Sequence, residues 1–310
     1  CHSVSRDGKK VALQFGGPGG GSIIDGADAN KLYVNPNAKG SWTLQTFNPT
    51  GDLLLINYNQ AARIIRSDNG DPVRDVPANI VGGGFAQPEW SPDGNSIVFV
   101  RFPAGGSGSE WNASNTGDIM VLPYNNGAFG PPQMIVQSVP NQEYHWYPSW
   151  TPDSQWIVFI TGKVPCQGGS GCNTYAPKNS VLRLVRAVPG SKPIELTRAT
   201  VGMGLAVSWP RVAPFAQRNG KLVFFTFSAR MRYGHTQPSQ NQVWMAGVNL
   251  EEAARQGGGD PSYAPFWVPF QGANEDNHLA TWTTDVACTV KTDCPAEFDC
   301  VNNQCVPGLG

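Results

Sequence analysis

Trp90-Ser-Pro-Asp-Gly-Asn-Ser-Ile-Val-Phe-Val100 reads as an aromatic residue, a tight turn and an apolar strand. Pro at the second turn position presets φ, and Gly at the end accepts a positive φ. The run Ile97 to Val100 does not alternate with polar residues, so a strand buried on both faces is expected there. The pattern returns as Trp150-Thr-Pro-Asp-Ser-Gln-Trp-Ile-Val-Phe-Ile160. Weaker copies are Ser5-Arg-Asp-Gly-Lys-Lys-Val-Ala-Leu-Gln-Phe15 and Phe47-Asn-Pro-Thr-Gly-Asp-Leu-Leu-Leu-Ile56. A fifth copy has a longer turn, Trp209-Pro210 followed by Asn219-Gly-Lys-Leu-Val-Phe-Phe225. The aromatic before each turn is large enough to wedge between neighbouring repeats.

Each copy continues with a more clearly alternating strand, as in Asp118-Ile-Met-Val-Leu122, Val181-Leu-Arg-Leu-Val185 and Gln242-Val-Trp-Met-Ala246. A shorter outer strand follows, as in Gln133-Met-Ile-Val136 and Pro193-Ile-Glu-Leu-Thr197. Four strands per repeat make the blade of a propeller. The unit resembles the TolB-type (WD40-like) repeat W-S-P-D-G-x-x-I-x-F over roughly residues 5 to 285. That resemblance implies an all-β propeller of four-stranded blades. Five repeats are visible, against the six blades usual in TolB-like propellers. Asn277-His-Leu-Ala-Thr-Trp-Thr-Thr-Asp285 reads as an inner strand with no apolar strand after it. The first repeat shows an apolar strand with no inner strand before it. Pairing the two is expected to close the ring and remove sheet edges.

The 310 residues suffice for such a ring. Charged residues are 15% of the chain, well below the roughly 25% of ordinary domains. The net charge is -1, so neither nucleic acid nor an acidic membrane is an expected partner. The 36 Gly and 26 Pro supply turns, and the 10 Trp and 14 Phe supply apolar bulk. No stretch approaches the ~18 apolar residues of a membrane span. The chain opens on Cys1, which reads as a processed or truncated start. The sequence carries no signal for oligomeric state.

Cys166 and Cys172 flank a Gly-rich loop, and Cys288, Cys294, Cys300 and Cys305 crowd the C-terminus. Eighteen residues cannot bury a core, so disulfides are expected to hold residues 288–305. Three pairings of four cysteines remain open. Zinc is the competing reading, but the segment lacks C-x2-C and His. It resembles Cys-rich modules appended to secreted proteins. The domains are read as 1–286, the propeller, and 287–310, the disulfide-rich tail. Paired cysteines indicate an oxidising compartment: extracellular, periplasmic or on the outer surface of a bacterial cell.

Cys1-His2 has three readings: a lipid-bearing cysteine, a plain surface pair, or the end of a C-x-x-C-H haem motif. The haem reading needs a thiol for the thioether and an adjacent imidazole for the iron. Cys1-His2-Ser-Val-Ser-Arg-Asp-Gly resembles bacterial TolB-like proteins in which C-x-x-C-H runs straight into S-x-D-G. That resemblance implies a covalent c-type haem bound by Cys1 and His2, with only one of its two cysteines within this chain. Met231, His235 and His278 are the candidate second axial ligands.

Hydrolase chemistry has little footing. No G-x-S-x-G occurs, and His2, His145, His235 and His278 are the four histidines available to a triad. The inner-strand positions Gln87-Pro-Glu89, Tyr147-Pro-Ser149 and Ala206-Val-Ser208 are poor in the paired acids that propeller glycosidases use. Gly16-Gly-Pro-Gly-Gly-Gly-Ser22 lacks the Lys-Ser/Thr of a phosphate loop and reads as a flexible loop. Asp25, Asp28 and Glu275-Asp276 could touch calcium, though solvated acids are the simpler reading. His145-Trp146-Tyr147 and Trp267 read as packing between blades rather than as sugar platforms. Insertions at 103–117, 162–179 and 228–241 fall on the propeller faces, where binding loops sit.

These observations lead to an extracytoplasmic binding or scaffold propeller, not a self-contained enzyme, with a protein or extracellular polymer as ligand. The alternatives are an electron-transfer propeller carrying haem at Cys1-His2, and a propeller hydrolase.

Overall fold

The computed structural model describes residues 2–15, 20–34, 42–58, 61–102, 116–140, 142–163, 179–200, 206–232, 240–255, 259–269, 271–272, 274–283, 290, 298–301 and 304–307. Five antiparallel sheets follow one another along the chain. The first holds β1 (His2–Val4), β2 (Lys10–Phe15), β3 (Gly20–Asp25) and β4 (Leu32–Val34). The second holds β5 (Leu44–Phe47), β6 (Leu53–Tyr58), β7 (Ala61–Arg66) and β8 (Pro72–Asp75). The third holds β9 (Gly84–Trp90), β10 (Ser96–Phe102), β11 (Asp118–Asn125), a two-residue β12 (Ala128–Phe129) and β13 (Gln133–Val136). The fourth holds β14 (Glu143–Trp150), β15 (Trp156–Lys163), β16 (Ser180–Arg186) and β17 (Ile194–Glu195). The fifth holds β18 (Ser208–Gln217), β19 (Leu222–Ala229), β20 (Gln242–Asn249) and β21 (Phe266–Trp267).

The first strands of successive sheets lie side by side, β5 against β1 and β9, and β14 against β9 and β18. The chain is therefore a propeller of five four-stranded blades. Its second strands are the apolar runs of the repeat, and Ile97, Val98, Phe99 and Val100 are all fully buried. Burial of each such side chain stabilises the fold by roughly 1.5–3 kcal/mol.

The turns behave as the repeat implies. Ser91 Oγ donates to Asp93 Oδ1 at 2.6 Å, and Asp93 accepts the Asn95 N–H at 3.0 Å. Thr151 and Asp153 repeat the first contact at 2.5 Å, and Ser5 and Asp7 at 2.7 Å. Gly8, Gly51 and Gly94 take positive φ, as does Ser154, the substitute in the fourth copy.

Three expectations need correction. The first repeat does have an inner strand, because His2–Val4 pairs with Val11–Leu13. The fifth copy was misaligned: Val212, not Trp209, occupies the place of Trp90 and Trp150. Gln87-Pro88, Tyr147-Pro148 and Trp209-Pro210 are the equivalent pairs, each with a left-handed first residue at a ladder irregularity. Gly20-Gly-Ser22 begins β3 rather than a loop. A Cβ on Gly21 would stand 2.3 Å from the Trp42 ring, so glycine there admits that buried indole. Gly16 to Gly19 lie outside the described residues.

Residues 277–283 sit in no ladder among the described residues, yet they dock on blade 5 as β14 docks on blade 3. The Asn277 N–H donates to Asn241 O at 2.9 Å, and the His145 N–H to Gly117 O at 3.0 Å. Trp282 Nε1 donates to Arg211 O at 3.0 Å, and Trp150 Nε1 to Glu89 O at 3.1 Å. Leu279 has φ 61, matching Tyr147 at 55. The segment thus has the placement of an inner strand, as its sequence implies, with Leu279-Ala280 standing where β9, β14 and β18 carry X-Pro.

Ala280→Pro follows as a test. If the equivalence holds, proline fits the backbone already present and raises stability by about 0.4–1 kcal/mol in urea unfolding. A loss larger than 1 kcal/mol would show that 277–283 is an irregular crossing instead.

Candidate functional site: an axial cavity held by Glu89 and Arg211

All five inner strands, together with Thr281 and Trp282, enclose one cavity of about 160 Å3 at the end where they turn into the second strands. Pro49, Pro92 and Pro152, supplied by three of the turns, and Pro214 of β18 line it. Its charged and titratable side chains are His2, Arg6, Glu89 and Arg211. Tyr147 and Trp209, two residues before Ser149 and Arg211 on their strands, are both buried, with ring centroids 4.1 Å apart.

Glu89 is placed by backbone need. The Trp150 N–H donates to Glu89 Oε1 at 2.8 Å, and Ser149 Oγ donates to the same oxygen at 3.1 Å. Equivalent N–H groups use Thr46 Oγ1 for Trp90 at 3.2 Å and Ser149 Oγ for Val212 at 3.0 Å. The other oxygen, Oε2, accepts from Arg211 Nη1 at 3.2 Å. One carboxylate thereby links blades 3, 4 and 5. Burial pushes the Glu89 carboxyl above its ordinary range, and Arg211 and the two donors oppose that. The Arg211 guanidinium carbon lies 5.7 Å from the Trp209 ring centroid, a cation–π contact that fixes its plane. Arg6 Nη2 donates to Pro214 O at 3.0 Å, joining the first blade to the fifth.

His2 lies on β1 in this cavity, and burial lowers its pKa. Cys1 and His235 lie outside the described residues. Met231 is buried in the core, and His278 packs edge-on to Trp209 at 6.0 Å. Neither lines the cavity that holds His2. Among the described residues, neither candidate second axial ligand stands beside His2 in the cavity. Cys300 is disulfide-bonded on a hairpin of β22 (Phe298–Val301) and β23 (Gln304–Pro307), where its Cα pairs with that of Cys305. Cys166, Cys172, Cys288 and Cys294 lie outside the described residues, as do most of the three insertions.

The other acids are structural. Asp25 accepts from Lys31 Nζ at 2.7 Å and Tyr33 Oη at 2.8 Å, which holds its carboxyl well below the usual range. Asp276 accepts from the Asn241 N–H at 3.1 Å. No group of three or more metal-ligating side chains occurs among the described residues. His145 is wholly buried, with Nδ1 2.9 Å from Thr161 Oγ1 and Nε2 3.7 Å from Glu143 Oε1. Trp146 and Tyr147 are buried beside it, and Trp267 Nε1 donates to Gln242 Oε1 at 3.2 Å. All four are packing groups, as the sequence implies. Glu89 entered the sequence reading only as a member of an acid-poor inner strand, and Arg211 not at all. The signal for Arg211 was the alignment of X-Pro pairs, which places it opposite Glu89 and Ser149.

The architecture and this cavity define a β-propeller with an axial cup. No protein-family model matches the chain, and no curated protein matches it in sequence. Among solved structures it is similar to a hydrazine synthase from Kuenenia stuttgartiensis, at 14% identity over 89% of this chain and 67% of that one, TM-score 0.49. It is also similar to a putative TolB from Agrobacterium tumefaciens, at 17% over 86% and 80%, TM-score 0.47. TolB from Acinetobacter baumannii is similar at 13% over 81% and 51%, TM-score 0.44. No helix among the described residues is long and apolar enough to cross a membrane.

Two stability predictions follow. Glu89→Leu leaves the Trp150 N–H and Arg211 without an acceptor, and is expected to cost about 1–3 kcal/mol more than Glu89→Gln in urea unfolding. Equal costs would mean that these contacts carry no weight. Burial lowers the His145 pKa to about 4 from 6.5, against the pull of Glu143 and Asp118 and with the help of Arg183. The unfolded chain therefore binds a proton that the folded chain refuses between those values. Stability is full above about pH 6.5 and falls by a few kcal/mol as the pH drops to about 4. His145→Gln should flatten that part of the curve, and an unchanged slope would remove His145 as its source.

Proposed function

We propose that this chain is an extracytoplasmic, non-catalytic binding propeller whose axial cup seats part of a protein or polymer ligand. The observation that carries this reading is the cup itself, walled by every blade, with its polar groups held by neighbouring blades. Inner strands and the tight turns after them set its geometry, which suits recognition without rearrangement. Hydrolysis of a glycoside would call for two carboxylates flanking the scissile bond. Among the described residues lining the cup, Glu89 is the one carboxylate. The disulfide at Cys300 and the cysteine pattern of the tail support an oxidising location.

Thr281→Trp tests this. Thr281 lines the cup, and an indole there fills it. Ligands found by screening peptides and polysaccharides on immobilised protein should bind this variant at least tenfold more weakly, with an unchanged circular dichroism spectrum. Equal binding by the variant would remove the cup from function, and turnover of the ligand would make the chain an enzyme.

A further inference from the structure

We propose that Arg211 is an anion hook and that the cup receives the C-terminal carboxylate of a polypeptide. This rests on the cup being the binding site. The Arg211 side chain is only 25% exposed, yet the one hydrogen bond that its guanidinium makes to a described residue is Nη1 to Glu89 Oε2. Guanidinium carries five N–H donors, so several remain without a partner among the described residues. A mostly buried guanidinium with unused donors favours a planar, bidentate acceptor, which a carboxylate provides. Glu89 cannot turn away to leave a different arrangement, because Trp150 N–H and Ser149 Oγ hold its other oxygen. Two arginines face one carboxylate around the cup, so its local charge favours an anion although the chain as a whole carries -1.

Shape narrows the ligand. A cavity of about 160 Å3 admits a chain end, not a folded surface. An acidic sugar would want an aromatic face to stack on. Trp90 and Trp150 are 5% and 4% exposed, with their indole N–H groups committed to Gly94 O and Glu89 O, and the half-buried Trp282 stands perpendicular to the Phe215 ring with its N–H on Arg211 O. The walls instead offer proline rings to a terminal side chain and hydroxyls to its backbone.

Calorimetric titration of the intact chain with N-acetyl-Ala-Leu as the free acid and as the C-terminal amide tests the assignment. The free acid should bind at least tenfold more tightly than the amide, and the gap should shrink as salt is raised. Arg211→Met should erase the difference, and Arg211→Lys should retain part of it with the same circular dichroism spectrum. Equal affinity for acid and amide overturns the hook, whatever the variants do. Binding of galacturonate in preference to the peptide acid overturns the polypeptide source. If the acid fails to bind while another ligand still depends on Thr281, this inference falls and the cup remains the binding site.

Discussion

Three inner strands of this ring, β9, β14 and β18, interrupt their ladders just before the turn, and the N–H stranded there must find an acceptor. A buried amide without one costs about 1–3 kcal/mol, so the preceding blade has to reach across. Thr46 does so for Trp90, Glu89 for Trp150 and Ser149 for Val212. That contact fixes the angle and height of each blade relative to the next. It also decides what stands on the axis. Where the acceptor is a hydroxyl, the matter ends there. Where it is Glu89, a charge has been brought into a poorly hydrated place and needs a counter-charge. Arg211, one blade further on, supplies it. The polar character of the cup thus grows out of a backbone requirement of the fold.

The fold was largely legible because its signals are local. A Pro-Asp-Gly turn and an unbroken apolar run depend on neighbours within a few residues. Trp90–Val100 and Trp150–Ile160 therefore announced β9 to β10 and β14 to β15, and the remaining copies followed by analogy. The errors arose where the pattern had no local signal. Val212-Ala-Pro214 keeps the backbone role of Trp150-Thr-Pro152 without its aromatic, so the louder Trp209-Pro210 drew the alignment three residues away. His2–Val4 is three residues long and carries no apolar signature, so an inner strand there left no trace in the sequence.

The site was barely legible for a related reason. Glu89 and Arg211 are 122 residues apart and meet only because the blade between theirs sets them at a fixed angle. Nothing in the spacing of either residue reports that meeting. Apart from His2, which lines the cup, the titratable residues that did stand out are mostly spent on packing or turns where they are described. His145 is a buried partner of Thr161, and Asp25 is tied to Lys31 and Tyr33. Asp93 and Asp153 recur because each shapes a turn, which explains their regularity without any ligand.

The immobility of Glu89 bears on the choice between binding and catalysis. A general acid needs a proton to give and freedom to reach the leaving oxygen, and a nucleophile needs an oxygen lone pair pointed at its target. Glu89 spends one oxygen on two donors and the other on a guanidinium. Turning it toward a substrate would strand the Trp150 amide and release Arg211, so each catalytic use would carry the cost of disrupting three blades. A carboxylate in that position is better suited to hold an arginine still than to react. On the proposed reading the cup's chemistry rests with the guanidinium that Glu89 presents, whose geometry and permanent charge fit recognition of an anion and offer no proton to transfer at ordinary pH.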